Sequence, residues 1–167
     1  MNLLGLPGRN PGTFEWMGNL LGTLELGQQS TTVIRYDCWT SGGELDLAHE
    51  TARARDADPD LVVAKSIGTI VAINAFASGA TRRFVMIGTP LRIYKDRDLD
   101  LLGRLADACS VRFIQQTDDR AGSMADLRTA LSSLPSGWFL EVPGDDHAYS
   151  DIAALKWGIE RWFAGPT

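Results

Sequence analysis

The sequence predicts an α/β protein of three layers, with a parallel sheet of about six strands between helices on both faces. Three observations predict it. Short apolar runs, often β-branched, alternate six times with stretches of helical period along the 167 residues. Parallel strands need such helical crossovers. Residues Ile67, Ile70, Val71, Ile73 and Ala75 make one helix nearly all apolar, as a helix packed across the centre of a sheet must be. No repeat, low-complexity stretch or linker interrupts the pattern, so one domain over 1–167 is expected.

The elements follow in order. Asn2-Leu3-Leu4-Gly5-Leu6 is the first strand, and Pro11-Gly12-Thr13 starts a helix over 13–26. A second strand over 32–36 leads through a polar turn to a helix over 43–55. His49 lies mid-helix there and reads as a surface histidine. Leu61-Val62-Val63-Ala64-Lys65 is a buried strand that stops at Ser66, where a helix over 66–78 begins. The fourth strand, 84–88, precedes a helix over 98–108. The fifth, 111–116, precedes a helix over 123–131. Pro135 and Gly137 punctuate the entry to a sixth strand over 138–142. Ile152, Leu155, Ile159 and Phe163 then recur at spacings of three and four, within a helix over 148–163.

Composition narrows the function. The chain is 44% apolar and 22% charged, with a net charge of −5. No basic stripe exists, so nucleic acid is not an expected partner. No apolar run approaches the ~18 residues of a membrane span, and residues 1–8 lack the basic and apolar regions of a signal peptide. A cytoplasmic protein is expected, with room for a homo-oligomer. Cys38 and Cys109 show no metal-ligand spacing, and no nucleotide-binding glycine motif is present. Neither a metal nor a cofactor is expected.

In open parallel sheets, ligands bind beyond the carboxyl ends of the strands. Three residues with matching chemistry fall there. Ser66 sits between a strand and an apolar helix, with Ala64 two positions before it and Gly68 two after. Small residues at those positions let helix and strand backbones meet closely at a tight elbow that exposes a nucleophilic serine. A plain helix N-cap would also place a serine there. A nucleophilic serine needs a base, and His147, after the sixth strand at the start of the last helix, is the candidate. The base needs a carboxylate to orient it, and Asp118-Asp119 end the fifth strand. The chain order is serine, aspartate, histidine.

With these residues in place the chain resembles the α/β-hydrolase family, especially its small, lidless bacterial members. Leu6-Pro7-Gly8-Arg9-Asn10 is similar to the HGxG loop, with Pro7 in place of the histidine. Ala64-Lys65-Ser66-Ile67-Gly68 resembles the nucleophile elbow, with Ala64 in place of a glycine. Gln116-Thr117-Asp118-Asp119 is similar to the G-x-x-D acid segment, which selects Asp119 although Gln116 departs from glycine. Gly144-Asp145-Asp146-His147 is similar to the G-x-x-H segment. The resemblance implies that fold without its first two strands and without a cap domain, the second strand outside the first and the third inside. It implies Ser66, Asp119 and His147 as the triad. It also implies an oxyanion hole from the backbone N–H of Ile67 and that of Arg9 or Asn10.

The expected function is a serine hydrolase acting on a small-molecule acyl substrate through an acyl-enzyme. Asn10, Trp39, Leu91 and Tyr94 are expected around the substrate, with Ile93 beside them at the pocket mouth; peripheral packing is the alternative for Trp39, Leu91, Ile93 and Tyr94. Lys65, next to the nucleophile, reads as salt-bridged or solvated, with attraction of an anionic group as the alternative. The rival is a non-catalytic protein of the same fold that binds a ligand or partner. A flavodoxin-like binder, which would carry flavin, is a third reading.

Overall fold

Six strands, all parallel, form one sheet in a computed structural model that describes residues 1–78 and 82–165. They are β1 (Asn2–Leu6), β2 (Ser30–Val33), β3 (Leu61–Lys65), β4 (Arg83–Ile87), β5 (Ser110–Gln116) and β6 (Phe139–Val142), in the order β2-β1-β3-β4-β5-β6. Register is regular across the centre, where Val63 faces Gly5 on one side and Val85 on the other. The helices are α1 (Gly12–Thr23), α2 (Cys38–Ser41), α3 (Leu47–Asp56), α4 (Ile67–Phe76), α5 (Asp96–Ala108), α6 (Met124–Ala130) and α7 (Ile152–Ala164). Sheet and helices make a three-layer sandwich.

Successive side chains of a strand point to opposite faces, and the core divides accordingly. Leu4, Leu6, Val62, Ala64, Phe84, Met86 and Phe113 pack with Val71 and Ile73 of α4, Leu102 and Leu105 of α5, and Leu127 of α6. Leu3, Leu61, Val63, Val85, Ile87 and Ile114 pack with Met17, Leu20 and Leu21 of α1 and Leu155 and Ile159 of α7. Each fully buried Leu, Ile or Phe contributes roughly 1.5–3 kcal/mol over an exposed one. The central strands are therefore apolar on both faces, and β3 has every residue buried.

Several boundaries differ from the sequence reading, for physical reasons. β2 occupies 30–33 rather than 32–36. Apolar Ile34 and Tyr36 continue the run, but they turn into the core after the chain leaves the sheet edge. The predicted helix over 43–55 begins at Leu47, where the Asp46 carboxylate accepts from the His49 N–H. His49 is thus in a first turn, not mid-helix. The helix of 148–163 begins only at Ile152, capped by the Asp151 carboxylate on Ala154 N–H. Trp138 belongs to a 3₁₀ turn, Ser136–Trp138, rather than to β6. The short α2 has no predicted counterpart.

Between β4 and α5 there is only a 3₁₀ turn, Leu91–Ile93, within residues 88–95, so nothing there covers the carboxyl end of the sheet. Among the described residues, no helix is long and apolar enough to cross a membrane.

Candidate active site

Ser66 follows the last residue of β3, and its N–H donates to the Ile87 carbonyl of β4 at 3.0 Å. Its backbone then turns sharply, with φ 52° and ψ −121°. A non-glycine residue in that region is strained and is held there only by its surroundings. The serine side chain makes no capping bond to α4, so the N-cap alternative does not describe it. Gly68 explains the tightness of the turn. A Cβ there would lie 2.1 Å from the Leu6 carbonyl oxygen, where no side chain fits. Ala64 has no such constraint. It lies within the ladder opposite Leu6 and Met86, fully buried, so a methyl group serves as core.

Freed from capping, Ser66 Oγ lies 2.9 Å from His147 Nε2. On the other side of the ring, His147 Nδ1 lies 2.9 and 2.8 Å from the two carboxylate oxygens of Asp119. Both of those oxygens are acceptors, so the proton is assigned to Nδ1, and Nε2 accepts from the serine hydroxyl. Asp118 is exposed, whereas Asp119 is 2% exposed. Asp119 alone reaches the histidine.

Asp119 is cradled. The Ala121 N–H donates to one oxygen at 2.8 Å and the Tyr149 hydroxyl to the other at 2.7 Å. Burial alone raises a carboxyl pKa. Here the hydrogen bonds from His147, Tyr149 and Ala121 outweigh it and hold Asp119 below the usual carboxylate range. Tyr149 is displaced the other way. Burial and the adjacent Asp119 push its hydroxyl upward, so it stays a neutral donor. Tyr149 went unnoticed in the sequence. Its only signal is its place two residues after His147.

The loop that carries His147 is irregular. His147 and Tyr149 both have positive φ, at 63° and 58°. Side chains hold them in place. Gln116 Oε1 accepts from the His147 N–H at 2.8 Å, while its Nε2 donates to Asp146 Oδ1 at 3.0 Å. Gln116 therefore does work that a glycine there cannot, and Gly144 gives way instead. A Cβ on Gly144 would lie 2.4 Å from Gln116 Nε2. The Tyr149 hydroxyl also accepts from the Gln116 N–H, and its carbonyl accepts from Trp16 Nε1. Gly88, with φ 60°, leaves room for both rings: a Cβ would lie 2.7 Å from Tyr149 Cε2.

Lys65 overturns its sequence reading. Among the described residues it has no salt-bridge partner, and it is 4% exposed rather than solvated. Its Nζ donates to the His147 carbonyl at 2.9 Å and lies 5.4 Å from the ring centres of Trp16 and Tyr149. Burial pushes its pKa down to about 8, against the opposing pull of Asp119 and Asp146.

The loop after β1 runs beside the serine. A Cβ on Gly8 would lie 3.5 Å from Ser66 Cβ. The Tyr36 hydroxyl donates to the Pro7 carbonyl and Trp39 Nε1 to the Arg9 carbonyl, at 3.0 and 2.8 Å. As the first residue of α4, Ile67 has an N–H with no partner inside the helix. Asn10 turns its side chain to the Gly12 N–H and its carbonyl to Thr13, shaping the start of α1.

Two clefts lie beside the elbow, and Ser66 lines one of them. One, of about 380 Å³, is lined by Ile67, Ile70, Leu45, Leu47 and Ile93, together with the charged Arg9, Glu44, Lys95, Arg97 and Asp98. The other, of about 480 Å³, holds Ser66 and His147 with Lys65, Arg120, Trp16 and Asn10. Three expected wall residues line neither. Trp39 packs on Tyr36 and Phe14 and braces the Arg9 carbonyl. Leu91 lies against Gly122, and the Tyr94 hydroxyl pairs with Thr69 Oγ1 at 2.7 Å. The 3₁₀ turn directs both residues toward the body of the protein and leaves Ile93 outside.

Asp37, His49 and Glu50 are the group among the described residues whose ligand atoms lie close enough for a metal ion. The Arg53 guanidinium already bridges Glu50 at 2.8 Å and Asp37 at 3.2 Å, which suits an ion-pair network rather than a cation.

No family model matches the chain, and no curated protein matches it in sequence. Among solved structures it is similar to a protein from Xanthomonas campestris pv. campestris described as a "putative hydrolase of the alpha/beta superfamily". The two agree with a TM-score of 0.68 over 99% of this chain and 96% of that one, at 14% identity. The fold is therefore that of the α/β hydrolases.

Proposed function

We propose that this α/β-hydrolase-fold protein is a serine hydrolase that cleaves a carboxylic ester-type bond through an acyl-enzyme. The observation that carries the reading is the unbroken chain from Ser66 Oγ through the His147 ring to buried Asp119, every link at 2.8–2.9 Å. A histidine linked to a serine on one side and a buried carboxylate on the other is the arrangement that activates a hydroxyl for attack.

In this reaction His147 Nε2 takes the Ser66 proton as the oxygen attacks the substrate carbonyl. The carbonyl electrons move onto its oxygen, which the N–H groups of Ile67 and Arg9 receive; one such donor is typically worth about 10²–10³ in rate. The tetrahedral intermediate collapses, the bond to the leaving group breaks, and His147 delivers its proton to that group. Water then repeats the sequence on the acyl-enzyme and frees the acid. Asp119 keeps the proton on Nδ1 and stabilises the imidazolium.

A fluorophosphonate probe and p-nitrophenyl esters of varied chain length test the reading. Labelling and turnover that vanish in Ser66→Ala are the expected result. Folded wild-type protein that neither labels nor turns over would point instead to a non-catalytic binding protein of this fold.

A further inference from the structure

The two clefts differ in chemistry, and the proton path decides which half of a substrate each receives. This inference rests on the proposed reaction. The group that leaves must lie within reach of His147, since His147 protonates it. His147 lines the 480 Å³ cleft and is absent from the 380 Å³ one. The leaving group therefore belongs in the first, and the acyl chain lies along Ile67 and Ile70 in the second.

The leaving-group cleft is cationic in a protein of net charge −5. Lys65, Arg120 and Arg9 line it, against Asp146 as its one carboxylate. Asp146 is already engaged, its Oδ1 accepting from Gln116 Nε2 and Ala148 N–H. Arg120 is exposed and makes no ion pair among the described residues. Lys65 is the stronger signal. The residue is 4% exposed, yet among the described residues its hydrogen bond goes to a neutral carbonyl and no carboxylate lies within ion-pairing distance. Asp119 and Asp146 act on it only from beyond contact, and a buried charge without a directly paired counter-ion is costly. The lowered pKa of Lys65 is the trace of that cost, and an anion in the cleft would relieve it.

We propose that the leaving-group half of the substrate carries an anionic group, a carboxylate or phosphate, received by Lys65 and Arg120. The acyl half is apolar where it meets Ile67 and Ile70.

Acyl esters of 4-hydroxybenzoate and of neutral 4-hydroxybenzamide, with the same acyl chain, test this. Each kcat/KM is divided by the ester's spontaneous hydroxide rate. The charged ester is expected to be favoured by at least about tenfold, the scale of one hydrogen bond to a charged group. That preference should shrink several-fold in Arg120→Gln and in Lys65→Met, mainly through KM. Arg104→Gln, which removes an exposed charge from α5, should keep it. A third ester whose leaving group bears a phosphate monoester separates phosphate from carboxylate selectivity. Ser66-dependent hydrolysis with no preference, or a preference unmoved by Arg120→Gln and Lys65→Met, overturns the proposal and leaves the hydrolase reading standing. No labelling and no hydrolysis of any ester overturns both.

Discussion

The two sides of the Ser66–His147 contact are built from different materials. On the serine side, backbone meets backbone: Gly68 lies against the Leu6 carbonyl, and the sharp turn at Ser66 is held between β3, β4 and α4. On the histidine side, no regular element holds the chain between β6 and α7. Instead the side chains of Gln116, Asp119 and Lys65 hold His147 by hydrogen bonds, and the Tyr149 hydroxyl in turn holds Asp119. Volume governs the first side and polarity the second. The first should fail by unfolding, the second by losing activity before stability.

The sharpest test is Asp119→Asn, which is nearly isosteric and removes only charge and acceptor capacity. It should lower kcat by about 10⁴ through the wrong histidine tautomer, with KM little moved, in steady-state ester hydrolysis. The matching test on the serine side is Gly68→Ala. One methyl group there should destabilise the fold by roughly 3 kcal/mol, read as a lower urea midpoint. If Gly68→Ala is stable, or Asp119→Asn is active, the contrast between the two sides collapses.

Smaller effects sharpen it. Tyr149→Phe keeps the ring and deletes one hydroxyl, leaving the Gln116 N–H and one Asp119 oxygen without that partner. A cost of about 1–3 kcal/mol is expected, by the urea midpoint, with a fall in kcat. The pH dependence of stability separates two buried charges. The folded pKa of Asp119 lies below its unfolded value, so its contribution is present above the unfolded pKa and lost as pH falls through the folded one. Lys65 has a folded pKa of about 8, below its unfolded value. Between about pH 8 and 10.4 the unfolded chain then binds more protons, and stability should rise with pH. Lys65→Met should flatten that rise.

Local rules made much of this legible. β1 and β3 lie where the apolar runs place them, since a fully buried parallel strand is itself an unbroken apolar run. The elbow was legible because a close backbone approach demands a small residue at Gly68. At the edge the rule weakened: the apolar run through Tyr36 outlasts β2, because its end packs under the sheet rather than in it. The histidine loop was less legible still. Positive φ at His147 and Tyr149 leaves no mark in residue type, so the last helix looked as if it began four residues early. Gln116 read as a departure from a glycine pattern, while its amide is what ties the loop to β5. Lys65 was misjudged because a lysine is rarely buried without an acid. Two aromatic rings and one carbonyl surround it here.

The short connection over residues 88–95 bears on the fate of the acyl-enzyme proposed above. With no cap between β4 and α5, no closing motion of that connection has to precede or follow each turnover, and solvent has access to the clefts. Competing nucleophiles at millimolar concentration would then face water at its full liquid concentration. Such an architecture biases the acyl group toward the free acid and away from transfer to another acceptor.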